Sequence, residues 1–162
     1  MIELRPICHS NWLDCIALEV APEQRGYVNP NIFSLAEAYA HSDACPEDAL
    51  AYYRCLPFCL YESGTMVGFV LLTYEQECDH DSLPAYEIYR LMIDYRHQRK
   101  GYGRAAVTAL LDYIRTRPCG EAGHIYVQWH PENAASAHLF TDAGFTPVGT
   151  DEDGAVTARL PM

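Results

Sequence analysis

The sequence predicts a mixed α/β domain built on a single, mostly antiparallel sheet. Two observations point there. Residues 57–75, "PFCLYESGTMVGFVLLTYE", are two apolar runs around Ser63-Gly64, the pattern of a β-hairpin. Residues 85–130 read strand, helix, strand, one βαβ unit inside an otherwise hairpin-rich chain. By length, residues 1–162 make one domain, large enough for a real core.

Each element has its own signal. "IELRPI" (2–7) alternates and suits a first strand. Ser10 or Asn11 can cap a helix running to about Val20, with Trp12, Cys15, Ile16 and Leu18 on its apolar side. Residues 21–31 are a turn-rich loop, Ser34 caps a second helix over 35–42, and Pro46 opens a helical piece over 46–54. The hairpin follows, then a polar loop (77–84) and a strand (85–94). A helix over 103–117 is closed by Pro118 and Gly120. The chain ends with a strand (124–130), a helix (134–143) stopped at Gly144, and a hairpin (146–160) turning at Asp153-Gly154. There are no repeats and no low-complexity tracts.

Composition narrows the function. Hydrophobic residues make up 49% and charged ones 20%, as in ordinary globular chains. No apolar run reaches the length of a membrane span, and the first residues lack the basic-then-apolar order of a secretory signal. Seven cysteines (Cys8, Cys15, Cys45, Cys55, Cys59, Cys78 and Cys119) contain no C-x-x-C pair, which points to reduced thiols in a cytoplasm and to no metal site. "CDHD" (78–81) reads as a flexible acidic loop rather than a metal site. The formal net charge of −11 disfavours a phosphate backbone as partner, so no nucleic acid is expected, and it favours cations. Against that background Arg96, Arg99, Lys100 and Arg104 form a basic island with no acid among them.

The island surrounds "QRKGYGRAA" (98–106), where a strand gives way to a helix through Gly101 and Gly103. A helix N-terminus presents free N–H groups and about half a positive charge, and glycines let a phosphate approach the backbone. "GYGRAA" fits G-x-G-x-x-A, but a dinucleotide fold would place it soon after its strand and near the start of the domain. Here seven residues separate Ile93 from Gly101, and no Gly-Lys-Ser/Thr of a P-loop is present.

"LMIDYRHQRKGYGRAA" resembles the acetyl-CoA signature Gln/Arg-x-x-Gly-x-Gly/Ala of the GCN5-related N-acetyltransferases through Gln98, Gly101 and Gly103. "NAASAHLFTDAGF" resembles that family's second signature through Asn133, Leu139, Gly144 and Phe145, with Ser136 replacing an alanine. The resemblance covers essentially the whole chain. "APEQRGYV" and "NIFSLAEA" are similar to the spermine/spermidine branch. It implies acetyl-CoA as cosubstrate and no metal. Backbone groups of Leu91, Met92 and Ile93 would pair with the pantetheine arm as an added strand. The N–H groups of Arg99, Lys100, Gly101, Tyr102, Gly103 and Arg104 would cradle the pyrophosphate. Asn133 would hold the pantetheine through its amide.

Acetyl transfer to an amine needs the neutral amine, and deprotonating one with pKa near 10.4 at pH 7 costs roughly 4–5 kcal/mol. Glu87 is the candidate base, because unbroken strand alternation would set it on one face with Tyr89, Leu91 and Ile93. Tyr89 stands where similar polyamine enzymes can carry a glutamate, and it is the second catalytic candidate. A strand N–H near Met92 would meet the oxyanion. The tyrosine that usually meets the leaving thiolate in this family is Phe140 here, with Tyr102 and Ser136 as nearby substitutes. His130 and His138 are expected to pack or face solvent. A small cationic amine is the expected acceptor, a polyamine first, with Glu19, Glu23, Glu37, Glu47 and Asp48 lining an acidic cleft. A protein N-terminus, an amino sugar, a non-catalytic CoA-binding module and a homodimer stay open.

Overall fold

The computed structural model describes residues 1–41, 53–78 and 82–162. Its strands are β1 (Ile2–Pro6), β2 (Tyr53–Glu62), β3 (Thr65–Glu75), β4 (Ala85–Ile93), β5 (His124–Trp129), β6 (Thr146–Thr150) and β7 (Val156–Pro161). Its helices are α1 (Trp12–Ile16), α2 (Asn31–Ala40), α3 (Tyr102–Arg115) and α4 (Ala134–Asp142). The strands form one sheet in the order β1-β2-β3-β4-β5-β7-β6, antiparallel throughout except for the parallel β4–β5 pair. This is the mixed α/β architecture expected from the sequence. Among the described residues no helix is long and apolar enough to cross a membrane.

The β2–β3 hairpin turns through Ser63 and Gly64 at φ +50° and +80°. Two positive φ values in a two-residue loop match the twist of the strands it joins. α3 buries Ala106, Val107, Leu110, Leu111 and Ile114, an i, i+3/i+4 stripe, against one sheet face. Phe58, Leu60, Val70, Leu72, Ile88 and Val127 meet it there. The opposite face packs Cys59, Phe69, Leu71 and Met92 under Cys15, Leu18 and Ala38 of the α1–α2 region.

One irregularity decides the site. In β3–β4, Leu71 pairs with Arg90 and Leu72 with Ile88, so Tyr89 is an extra residue, a β-bulge. The bulge resets the alternation. Tyr86 and Ile88 join the α3-side core, and beyond the bulge so do Leu91 and Ile93, while Met92 packs on the α1–α2 side. The expectation that Glu87 shares a face with Leu91 and Ile93 is therefore overturned: Glu87 projects to the other side of the sheet.

The N-terminal third also departs from expectation. α1 stops at Ile16 rather than Val20 because the following backbone is held elsewhere: the Glu19 N–H donates to Asp94 Oδ2 (3.1 Å) and the Glu19 carbonyl accepts from Tyr95 N (2.8 Å). Trp12 is exposed rather than packed. α2 starts at Asn31, after Pro30, so Ser34 is not its cap but a buried residue one turn in. The buried Asn31 side chain donates to the Cys15 carbonyl (2.9 Å), which ties α2 to α1. Tyr53 and Arg54 belong to β2, correcting the end of the helical piece over 46–54; its other residues lie outside the described ones.

Candidate functional site

β4 and β5 pair only from Ala85 to Ile88 against His124 to Val127. Past that point the strands part. β4 stays bonded to β3 through Leu91, Met92 and Ile93, and its other edge opens on a cleft of about 820 Å³. Leu91, Met92 and Ile93 line it, facing Gln128, Trp129 and His130 from the β5 side. A strand edge with unpaired N–H and C=O groups accepts an added extended chain.

The turn from β4 to α3 is braced before it reaches the glycines. Asp94 is fully buried and accepts from Arg96 N (3.0 Å), Arg96 Nε (2.7 Å), Arg96 Nη2 (2.9 Å) and Glu19 N. Burial works to raise its carboxyl, but the Arg96 and backbone donors together outweigh it and hold the group below the ordinary aspartate range. Gln98 lines the cleft, yet its amide nitrogen is committed to the Ile93 carbonyl (2.9 Å) and Gln24 Oε1 (2.7 Å). It ties the turn to the loop before α2.

Arg99 and Gly101 sit at φ +59° and +81°, and Gly101 is the residue that starts α3. The conformation, not crowding, calls for glycine at 101, since an added Cβ there would meet open space. At Gly103 a Cβ would meet only Leu139 of α4, at 3.7 Å and 3.8 Å, an ordinary contact. The first-turn N–H groups of α3 thus rise beside the open strand edge, the geometry of an anion site.

The basic island is largely spoken for. Arg96 pairs with Asp94, Arg104 with Asp142 (2.9 Å), and Lys100 Nζ donates to the Arg96 carbonyl (3.1 Å). Of the four cations, only Arg99 lines the cleft.

α4 supplies the far wall with Asn133, Ser136, Leu139 and Phe140. Asn133 caps that helix: its Oδ1 accepts from Ser136 N (3.1 Å), which leaves the amide nitrogen for the cleft. Phe140 is buried, stacked on Trp129 at 6.1 Å and edge-on to Phe145 at 5.6 Å. Tyr102 also faces the cleft, and His130 stacks on Tyr27 at 5.5 Å, while His138 is exposed.

The structure separates the two catalytic candidates. Tyr89 lines the cleft at the bulge, more than a third exposed, with the Arg90 guanidinium over its ring at 4.7 Å. Burial, then Glu37, raises its hydroxyl above the ordinary tyrosine range, which favours the protonated form. Glu87 opens instead into a second cavity of about 220 Å³, with Glu75, Tyr126 and Gln128. It keeps partial accessibility there, yet protein surrounds it closely enough that desolvation, helped by Glu75, pushes its carboxyl up to about 7. Gln128 lines both cavities, and its side chain donates to Thr157 Oγ1 (3.1 Å).

Among the described residues the expected acidic lining is not there. Glu19 pairs with Arg25 on the surface (3.3 Å) and Glu37 with Arg90, while the cleft itself carries Arg25, Arg90 and Arg99 against Asp153. Glu23 does not line the cleft, and Glu47 and Asp48 lie outside the described residues. Most of "CDHD" lies outside them too, and among the described residues no cluster of metal-binding side chains occurs. Reasoning from sequence missed Gln128, Tyr126 and Glu75. The alternation of "HIYVQW" carries a signal for the first two, whereas Glu75 becomes visible only through the β3–β4 register.

A model described as the acetyltransferase (GNAT) family matches residues 29–145. The chain belongs to the GNAT acetyltransferase family. Over 90 residues it is 36% identical to a mycothiol acetyltransferase of Propionibacterium freudenreichii subsp. shermanii, covering 56% of this chain and only 27% of that protein. Over 145 residues it is 25% identical to a spermine/spermidine N(1)-acetyltransferase of Bacillus subtilis, covering 89% of this chain and 87% of that one. Among solved structures, the fold resembles spermidine N-acetyltransferase from Vibrio cholerae in complex with CoA and spermine. That match has a TM-score of 0.66 at 19% identity, covering 98% of this chain and 92% of that one. The first sequence signature lies on the turn into α3 and the second on α4, on opposite walls of the cleft.

Proposed function

We propose that the protein transfers the acetyl group of acetyl-CoA to a primary amine, with a polyamine as the leading acceptor. The observation that carries the reading is the parting of β4 from β5 beside the glycine-started N-terminus of α3. An extended pantetheine arm suits the open edge at Leu91, Met92 and Ile93, and a pyrophosphate suits the first-turn N–H groups. Asn133 offers its amide nitrogen to the arm from the opposite wall.

In the reaction the amine nitrogen attacks the thioester carbonyl carbon. The C–N bond forms, the C–S bond breaks, and the amine proton passes to Glu87 through water. A carboxyl near 7 is a better partner for an amine than one near 4.5, because each unit of pKa mismatch costs about 1.36 kcal/mol. A strand N–H near Met92 serves the oxyanion. Phe140 has no proton to give, so the sulfur leaves as thiolate, tolerable for a thiol with pKa of about 8.5.

The polyamine choice draws on the Bacillus subtilis relative and on the net charge of −11 rather than on the cleft, whose lining is more basic than acidic. Steady-state CoA release with a panel of amines tests it. Spermine should be turned over with higher kcat/KM than a monoamine, and the advantage should shrink with salt as the screening length falls to about 8 Å. Turnover of a peptide N-terminus with none for any polyamine would remove the acceptor. Acetyl-CoA binding without turnover of any amine would favour a CoA-binding module, a reading that Phe140 permits.

A further inference from the structure

The small cavity holds a second carboxylate that acetyl transfer does not require. Thr73 pairs with Glu87 and Glu75 with Ala85, so the two glutamates are diagonal neighbours on one sheet face, their backbones about 7–8 Å apart. Glu87 pairs across the sheet with Tyr126, whose buried ring forms another wall. Within about 220 Å³ two carboxylates repel each other, and Glu75 is one cause of the raised Glu87 pKa. Among the described residues Glu87 has no hydrogen-bond donor and no cationic partner, so its partly accessible carboxyl keeps its hydrogen-bonding capacity for what enters the cavity.

Size and access restrict what could enter. At about 30 Å³ per water the cavity takes the volume of about seven waters, enough for a short aminoalkyl chain and too little for a sugar ring. Gln128 borders both this space and the cleft, so the two lie side by side near the place where β4 and β5 part. An aromatic wall beside paired carboxylates suits an ammonium group.

Resting on the acetyltransferase reading above, we infer that Glu75 is a specificity-determining residue: it binds a second ammonium group of the acceptor while the reacting amine meets Glu87. The enzyme then selects short diamines and the aminoalkyl ends of longer polyamines over monoamines. The negative site that favours a cationic acceptor is this cavity, not the cleft, whose lining is basic.

The test is a matched pair of acceptors, 1,4-diaminobutane and n-butylamine, assayed with the parent, Glu75→Gln and Glu75→Asp. A charged hydrogen bond contributes about 1.5–3 kcal/mol, so Glu75→Gln should lower kcat/KM for the diamine about tenfold or more, chiefly through KM. Because Glu75 also acts on the Glu87 carboxyl, the readout is the ratio of kcat/KM for the diamine to that for n-butylamine, which should fall about tenfold in Glu75→Gln and keep most of its value in Glu75→Asp. Calorimetric titration of 1,4-diaminobutane into the CoA-bound proteins gives a readout independent of turnover, with binding to the parent and loss in Glu75→Gln. Equal kcat/KM for both acceptors in all three proteins, or equal losses for both in a folded Glu75→Gln, overturns the role of Glu75 and leaves the transferase reading intact. No turnover of any amine, with diamine binding still dependent on Glu75, overturns the transferase reading instead.

Discussion

Replacing Glu87 with Gln keeps the shape of the side chain and removes its charge, and it should move activity and stability in opposite directions. With its carboxyl near 7, Glu87 is about half ionised at neutral pH. Loss of a positioned general base lowers turnover by about 10²–10⁴-fold. The rising limb of the pH–rate profile through pH 7 should vanish, with acetyl-CoA affinity unchanged. The stability effect follows from linkage. The folded-state pKa of about 7 lies above the ordinary 4.5, so the unfolded chain gives up this proton first as pH rises. The parent therefore loses stability between about pH 4.5 and 7, by about 3 kcal/mol at 1.36 kcal/mol per unit, and Glu87→Gln should be spared that loss. Above pH 7 the variant should be the more stable and the less active protein. CoA release is best followed chromatographically, because exposed Cys8 and the other free thiols would react with a thiol reagent. Urea titrations from pH 4.5 to 8.5 give the stability curve. A variant within threefold of the parent rate at every pH would remove Glu87 from the mechanism, and parallel stability curves would refute its desolvation.

Gly103→Val should remain folded, since its Cβ meets only the Leu139 side chain at 3.7 Å, but calorimetry should detect no acetyl-CoA binding; unchanged affinity would remove the anion cradle. Phe140→Tyr should keep or raise turnover, because a hydroxyl added beside Trp129 at the cleft wall restores a proton donor for the thiolate; a large loss of rate with affinity intact would count against it. Asp94→Asn should destabilise the fold by about 1.5–3 kcal/mol at pH 7 by weakening the buried acceptor of Arg96 and Glu19. Because the Asp94 pKa is depressed, the parent's advantage should be present above the ordinary aspartate range and fade as pH falls through it, which acid-side urea titrations would show.

The parts of this site that lie close together in the chain are legible in its sequence. The Ser63-Gly64 turn and the glycine turn into α3 at Gly101 depend on local conformation, and their residue types announce it, whereas the edge at Leu91–Ile93 and the role of Asn133 were legible through the family resemblance. What stays hidden is set by pairing. Arg96 and Arg104 look like phosphate ligands until the fold brings Asp94 and Asp142 to them. Glu37 looks like an acceptor-binding acid until β4 presents Arg90 to it. The end of α1 escaped propensity because Asp94 holds the backbone that follows it and Asn31 of α2 holds its Cys15 carbonyl. Helix signals report only the helix's own residues.

The bulge at Tyr89 has the widest consequence. Without it, alternation in step with Leu91 and Ile93 would carry Glu87 to the α3 side, into the core around Leu72 and Val127, where an unpaired carboxyl would be costly. One extra residue lets β4 serve both faces. Before the bulge it projects Glu87 among Glu75, Tyr126 and Gln128, and after it the strand leaves β5 and exposes the edge at Leu91–Ile93. In the proposed reaction, base and thioester would approach from opposite sides of the sheet near the place where β4 and β5 separate. A nucleophile must reach a carbonyl from one face while the departing sulfur is held on another, and a strand that changes sides at the reaction point provides both. The same residue that defeats alternation as a guide to Glu87 is thus what gives it the placement the proposed reaction needs.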